Sequence, residues 1–360
     1  MKYLALAALL VAQPLCASAE KLNAAYINDR PAPFGGLATD RMKDYGASSF
    51  NRFNMMSVTF EMQNASPGAN PLVFGSAQPL NADWTAPASA QDAISGIAAL
   101  KANGAKVYVS AFGAYDADVP YLNALSTDPL TPDATVCAAG GSGVGNVNCT
   151  IFYLDKFLSA YGFDGLDIDI EGFDGKPFEV LAAGLGQNPW FTAKYGLSFA
   201  PYVDSGPAGR SVLDGACAFQ VNGITDYLDA RQYYAGGAGA VLPGHVDTIL
   251  AQAASHRCSN GETLKLGAAQ YVLGISPYSV LGADFPGRGG PNNCEYYYDK
   301  GFPDCAALVA DVVKAHPEIA GTFVWTIGLL DWMYYSCYID NALHGTSNNC
   351  GTPKPVPQDQ

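Results

Sequence analysis

Three carboxylates stand at every second position of one short run, Asp164-Gly165-Leu166-Asp167-Ile168-Asp169-Ile170-Glu171. Extended backbone sends successive side chains to opposite faces, so Leu166, Ile168 and Ile170 share one face and Asp167, Asp169 and Glu171 the other. Neighbours on the acidic face lie about 6.8 Å apart. Away from water, a row of this kind does not ionise freely: mutual repulsion and desolvation hold some carboxyls protonated, and a carboxyl protonated near neutral pH can act as a general acid. Glu171, at the end of the run, is the candidate proton donor. Asp-x-Asp-x-Glu-Gly also opens calcium-binding loops. Counted from Asp167, however, the twelfth position is Phe178 rather than Glu, and the spacer residues are apolar strand formers.

Such a row needs a rigid wall behind it. Short apolar runs recur along the whole chain and predict strands at residues 22–27, 53–60, 106–112, 165–171, 197–202, 228–234, 264–270 and 322–327. Helical periodicity lies between them. Residues 90–102 put Ile94, Ile97 and Ala98 on one face; Ile151, Leu154, Leu158 and Tyr161 do the same before the fourth strand, and Leu308, Val309, Val312 and Val313 before the eighth. Eight alternations of strand and helix imply an α/β fold, a (β/α)8 TIM barrel in one domain with disulfide-bonded loops. A doubly wound open sheet would carry fewer strands and a glycine-rich turn after the first, which this chain lacks. The acidic face then points into the barrel, and Glu171 reaches the strand's C-terminal end, where barrel enzymes keep their sites. The long stretches 114–149 and 275–305 are read as loops that build the binding face.

The two ends and the cysteines bear on the compartment. Lys2, the apolar residues 3–12 and Ala17-Ser18-Ala19 form a signal-peptide pattern, so residues 1–19 are read as a leader and the mature chain as secreted. Residues 20–350 form the barrel and 351–360 a polar, disordered tail. The leader carries Cys16, and eight of the nine cysteines remain. An even count in an exported chain points to four bridges, with roughly a hundred possible connectivities. Local closure favours Cys137–Cys149, Cys217–Cys258, Cys294–Cys305 and Cys337–Cys350. No CxxC or HxxxH pair supports a metal site, and no cofactor is expected. Asn64-Ala65-Ser66 and Asn148-Cys149-Thr150 are glycosylation sequons. A formal charge of −14 disfavours nucleic acid and anionic membranes as partners and is indifferent to a neutral sugar. No other run is long enough to span a bilayer, and a monomer is expected.

Every fixed position of the pattern Asp-Gly-x-Asp-x-Asp-x-Glu is present, and the run resembles the signature of glycoside hydrolase family 18, the chitinase family. The resemblance extends over the mature barrel. It is greatest to the small plant and fungal type without an inserted α+β domain, since only about fifty residues separate the seventh and eighth predicted strands. It implies an endo-acting chitinase on β-1,4-linked N-acetylglucosamine, cleaving with retention through the substrate's own acetamido oxygen rather than a second carboxylate. By this resemblance Glu171 protonates the glycosidic oxygen, Asp169 orients the acetamido group and Asp167 tunes Asp169. Asp164, of opposite parity, holds backbone at the strand's start beside Gly165.

Other positions resemble the family less completely. Gln232-Tyr233-Tyr234 is similar to Gln-x-Tyr-Asn, which implies that Tyr234 donates to the acetamido oxygen and Gln232 lines the site; Ala235 departs from the pattern. Trp325 resembles the tryptophan floor under the cleaved sugar. Ser110-Ala111-Phe112-Gly113 stands where relatives carry Ser-x-Gly-Gly, which makes Ser110 and Gly113 cleft residues with Phe112 as a departure. Tyr26, ending the first strand, is read as a sugar contact. The tyrosines within residues 295–298 are stacking or packing aromatics, and residues 332–335 are read as packing. Two other functions stay open: an endo-β-N-acetylglucosaminidase acting on N-glycans, and a chitin-binding or inhibitory barrel without catalysis. Intact Glu171, Asp169 and Tyr234 weigh against the last.

Overall fold

The computed structural model describes residues 20–27, 39–55, 80–81, 83–112, 118–138, 140–170, 176–200, 202–203, 210–224, 229–234, 243–267, 270–275, 305–324, 327 and 332–352. Its strands are β1 (Leu22–Ile27), β2 (Arg52–Met55), β3 (Lys106–Ala111), β4 (Gly165–Ile168), β5 (Gly196–Phe199), β6 (Tyr202–Val203), β7 (Asp229–Tyr234), β8 (Tyr271–Ile275) and β9 (Gly321–Val324). The helices are α1 (Thr39–Gly46), α2 (Gln91–Lys101), α3 (Asp118–Ala124), α4 (Val147–Tyr161), α5 (Lys176–Gln187), α6 (Pro189–Lys194), α7 (Arg210–Val221), α8 (Pro243–Ser255), α9 (Cys305–Ala315) and α10 (Trp332–His344). All strand pairings are parallel, in the order β5-β4-β3-β2-β1-β9-β8-β7, and β5 pairs with β7 to close the ring. The short β6 continues the path of β5 and pairs with β7, with Pro201 between the two pieces. This is the eight-position barrel that the strand count implies.

Two faces of the wall have separate cores. Leu166, Ile168 and Ile170 belong to the large outer cluster, with Ile151, Leu154, Leu158 and Phe157 of α4 and Phe178 and Leu181 of α5. The interior holds a small cluster of Leu22, Ala24, Tyr26, Ala200, Val272 and Phe323. Helix α4 starts where the Asn146 side chain accepts from Asn148 N at 2.8 Å, and it stops at Gly162, whose φ of 80° suits a residue without Cβ. On α2 the buried residues are Gly96, Ile97 and Leu100; Ala98, expected on that face, is exposed because the helix turns Gly96 against Met42.

Several expectations are corrected. The seventh barrel strand is residues 271–275, not 264–270. Leu264 and Leu266 are buried, as their alternation implied, but in the outer cluster with Cys217 and Cys258. Their backbone is held locally: Leu264 N donates to His256 O at 3.0 Å, and Lys265 N to Gln220 Oε1 at 2.7 Å. Burial beside a disulfide copied the signal of a strand. The fourth strand pairs only to Ile168, so Asp169 and Ile170 lie past it. Stretch 114–149 is not purely loop, since it contains α3 and the start of α4.

Disulfides Cys137–Cys149, Cys217–Cys258 and Cys337–Cys350 are formed, with Cα separations of 5.3, 5.2 and 5.5 Å. Cys294 of the fourth expected bridge lies outside the described residues, as do residues 1–19, the tail from 353, the Asn64 sequon and residues 295–298. The Asn148 sequon is described and closed: Asn148 is fully buried and donates to Gln187 Oε1 at 2.7 Å. No described helix is long and apolar enough to cross a membrane.

Candidate active site

The site starts from β4 and the spacing of its two neighbours. Register places Tyr108 opposite Gly165 and Gly165 opposite Gly196, and two residues further it aligns Ser110, Asp167 and Ser198. The Tyr108 ring crosses the barrel floor over both glycines. A Cβ on Gly165 would lie 2.6 Å from that ring and from the Gly196 carbonyl oxygen; one on Gly196 would lie 1.7 Å from the Tyr108 hydroxyl. Glycine at 165 is therefore a packing requirement directly beneath the acidic row. The Arg52 guanidinium lies over the same ring, 4.4 Å from its centroid.

Asp167 is fully buried, at 0% exposure. Its Oδ2 accepts from Tyr26 Oη at 2.6 Å and Ser110 Oγ at 2.7 Å, and its Oδ1 accepts from Ser198 Oγ at 2.5 Å. Hydroxyls from β1, β3 and β5 thus converge on one carboxylate inside the barrel, the kind of partnering that buried charge demands. Asp169 follows on the same face at 3% exposure, and its N–H donates to Ala111 O at 2.9 Å. Asp164 points elsewhere. It accepts from Val107 N at 2.9 Å and from Lys101 Nζ at 2.8 Å, and so ties the start of β4 to β3 and α2.

The cleft side of the site is only partly within the described residues. Glu171, Gly113 and Trp325 lie outside them. Gln232 and Tyr234 are on β7, opposite Leu273 of β8 and Val203 of β6. Ser110 and Tyr26, expected to touch sugar, are buried and donate to Asp167. Ser198 was missed. Its signal was a hydroxyl between Leu197 and Phe199 in a predicted strand, but its alignment with Asp167 depends on a register that no local pattern reveals. Phe112, the departure from the Ser-x-Gly-Gly pattern, has a positive φ of 71°. That region is costly for a residue with Cβ, and the ring is buried in the outer cluster. The aromatics of α10 pack, with Trp332 edge-on to Tyr45 at 5.1 Å and Tyr335 6.4 Å from Phe50.

Comparison with known proteins adds the fold's relatives. A family 18 chitinase, ChiB, from the chitin utilization locus of Flavobacterium johnsoniae superposes with a TM-score of 0.54 at 13% identity, covering 93% of this chain and 99% of that one. A class V chitinase from Nicotiana tobaccum gives 0.54 at 14% identity, with 90% and 99% covered. The fold is that of the family 18 chitinases. Active domain 2 of a thermostable chitinase from Pyrococcus furiosus, solved with chito-oligosaccharides, gives 0.50 at 13% identity, with 89% and 94% covered. No family model matches the sequence, and no curated protein does. The chain therefore shares the chitinase barrel, including the small form without an insertion domain, at a sequence distance where fold alone is shared.

Proposed function

We propose that the chain is a secreted, endo-acting chitinase that hydrolyses β-1,4-N-acetylglucosamine linkages with retention by substrate-assisted catalysis. The observation that carries this reading is buried Asp167, held by hydroxyls from three strands with buried Asp169 two residues on, in a barrel of the family 18 chitinase fold. Glu171 donates its proton to the glycosidic oxygen as the bond to the anomeric carbon breaks. The substrate's acetamido oxygen closes on that carbon from the opposite side and forms a positively charged oxazolinium. Asp169 orients the acetamido group and offsets its charge; Asp167 holds Asp169 in place; Tyr234 donates to the acetamido oxygen, with Gln232 and Trp325 shaping the subsite. Glu171, now a carboxylate, takes a proton from the water that opens the ring, which leaves the β-anomer. Chitin or N-acetylglucosamine oligosaccharides are the partners in this reading, the mature chain starts near Glu20 and acts as a monomer, and the three formed disulfides support an oxidising compartment.

Replacing Glu171 with Gln removes the transferable proton and little else. Turnover of chito-oligosaccharides is expected to fall on the order of a hundred- to ten-thousandfold, with folding and sugar binding retained. A variant keeping half the parent rate would take Glu171 out of this role. Product analysis on chitin oligomers beside a glycoprotein separates chitin from N-glycan cleavage.

A further inference from the structure

Asn148-Cys149-Thr150 is an acceptor sequence for N-linked sugar, yet the fold leaves no room for a sugar there. The run opens α4, with Asn148 at 0% exposure and Thr150 at 1%. Both amide atoms of Asn148 are in use: Nδ2 donates to Gln187 Oε1 at 2.7 Å, and Oδ1 accepts from Asn188 Nδ2 at 2.5 Å. The end of α5 presses closely on this point, since a Cβ on Gly184 would stand 2.6 Å from Val147 Cγ2. Cys149, the middle residue, is bridged to Cys137. Thr150 differs. Its hydroxyl is buried and, among the described residues, has no hydrogen-bond partner. The oxygen that the acceptor sequence requires is one the helix does not use.

Helical geometry closes the site a second time. Sugar transfer reads the asparagine amide together with the hydroxyl two residues on. Extended chain puts such a pair on one face, whereas an α-helix turns them about 200° apart. We propose that Asn148 is a sugar acceptor in the unfolded chain only, and that its glycosylation and the native barrel exclude one another. Transfer joins Nδ2 to the anomeric carbon of an oligosaccharide carried on a lipid pyrophosphate. The bond from that carbon to the pyrophosphate oxygen breaks, the lipid pyrophosphate leaves, and the amide gives up one proton. The product keeps one N–H for Gln187 but carries a sugar where α4, α5 and residue 188 meet. A chain that closes α4 and the Cys137–Cys149 bridge first therefore escapes modification, and a chain modified first cannot pack α4 on α5. The proposal concerns passage through a glycosylating compartment and is independent of the catalytic reading.

The test expresses the chain from Glu20 in a eukaryotic secretory cell line, behind a leader of the host so that export does not depend on residues 1–19. Occupancy at Asn148 is read by peptide mapping after enzymatic glycan removal in 18O-labelled water, separately for medium and cell-retained protein. Parent protein in the medium should carry no label at residue 148. Cys137→Ser/Cys149→Ser keeps Asn148 and Thr150 but lacks the bridge, which leaves this segment open for longer. Its total occupancy should exceed the parent's on the order of tenfold, with the label confined to the retained fraction. Adding Thr150→Val to that variant should abolish the label, which assigns it to this acceptor. Labelled parent in the medium with the circular dichroism of unlabelled protein would overturn the proposal. So would a bridge-free variant without label at residue 148 in either fraction, or a label that survives Thr150→Val.

Discussion

Asp167 and Ile168 are neighbours in sequence and face opposite sides of one strand. Ile168 is buried among the aliphatic and aromatic side chains of the outer cluster, where any well-fitting apolar group gains the same hydrophobic stabilisation. Asp167 is buried among three hydroxyls at fixed distances, where a specific oxygen arrangement matters and bulk does not. The difference teaches that burial alone says nothing about role. On the helix-facing side it measures stability; on the interior side it measures how tightly a chemical group is held.

Substitutions on the two faces put that contrast to the test. Asp167→Asn retains volume but turns an acceptor-only group into one that also donates, against three hydroxyls that donate already. Turnover is expected to fall on the order of ten- to a hundredfold, comparable with one or two charged hydrogen bonds, with circular dichroism unchanged. Ile168→Ala should do the reverse. It is expected to cost about 2–5 kcal/mol in urea unfolding through the cavity it leaves, while kcat per folded molecule stays within about twofold. Equal activity losses in the two variants would dissolve the distinction. The smallest effect is expected at Asn54, on β2 opposite Tyr26 and Tyr108. Asn54 is fully buried and, among the described residues, has no hydrogen-bond partner at either amide atom. An unmet buried amide is a liability of about 1–3 kcal/mol, so the nearly isosteric Asn54→Leu should be neutral or stabilising in thermal unfolding. A clear drop in melting temperature would show that the interior needs that amide.

What the sequence made legible follows the range of the physics involved. Alternation of carboxylate and aliphatic residues is local, and it gave the two faces of β4, the interior direction of the acidic row and the parity of Asp164. Counting strands and helices gave the closed barrel. Short separations of 12, 41 and 13 residues made the three described disulfides readable from local closure. Non-local features stayed hidden. Tyr26 reaches Asp167 across 141 residues of chain and Ser198 across 31, distances at which only register decides who meets whom. Leu264 and Leu266 show the opposite failure: their local pattern was strand-like, but neighbouring Cys258 and its bridge captured them outside the barrel wall. At Phe112 the sequence showed a departure from the Ser-x-Gly-Gly pattern, but not that the backbone there takes a positive φ with the ring buried.

If the substrate supplies its own nucleophile, the anomeric form of the first product reports it. Asp169 stands two residues before Glu171 in the sequence, and Gln232, Tyr234 and Trp325 carry no charge to serve as base or nucleophile. Proton NMR during early hydrolysis of chitin oligomers should show the β-anomer before mutarotation. Cello-oligomers and fully deacetylated chitosan of equal length should resist, because neither can form an oxazoline. The α-anomer appearing first, or cello-oligomers cleaved at a comparable rate, would contradict the account and require a separate carboxylate on the far side of the cleft.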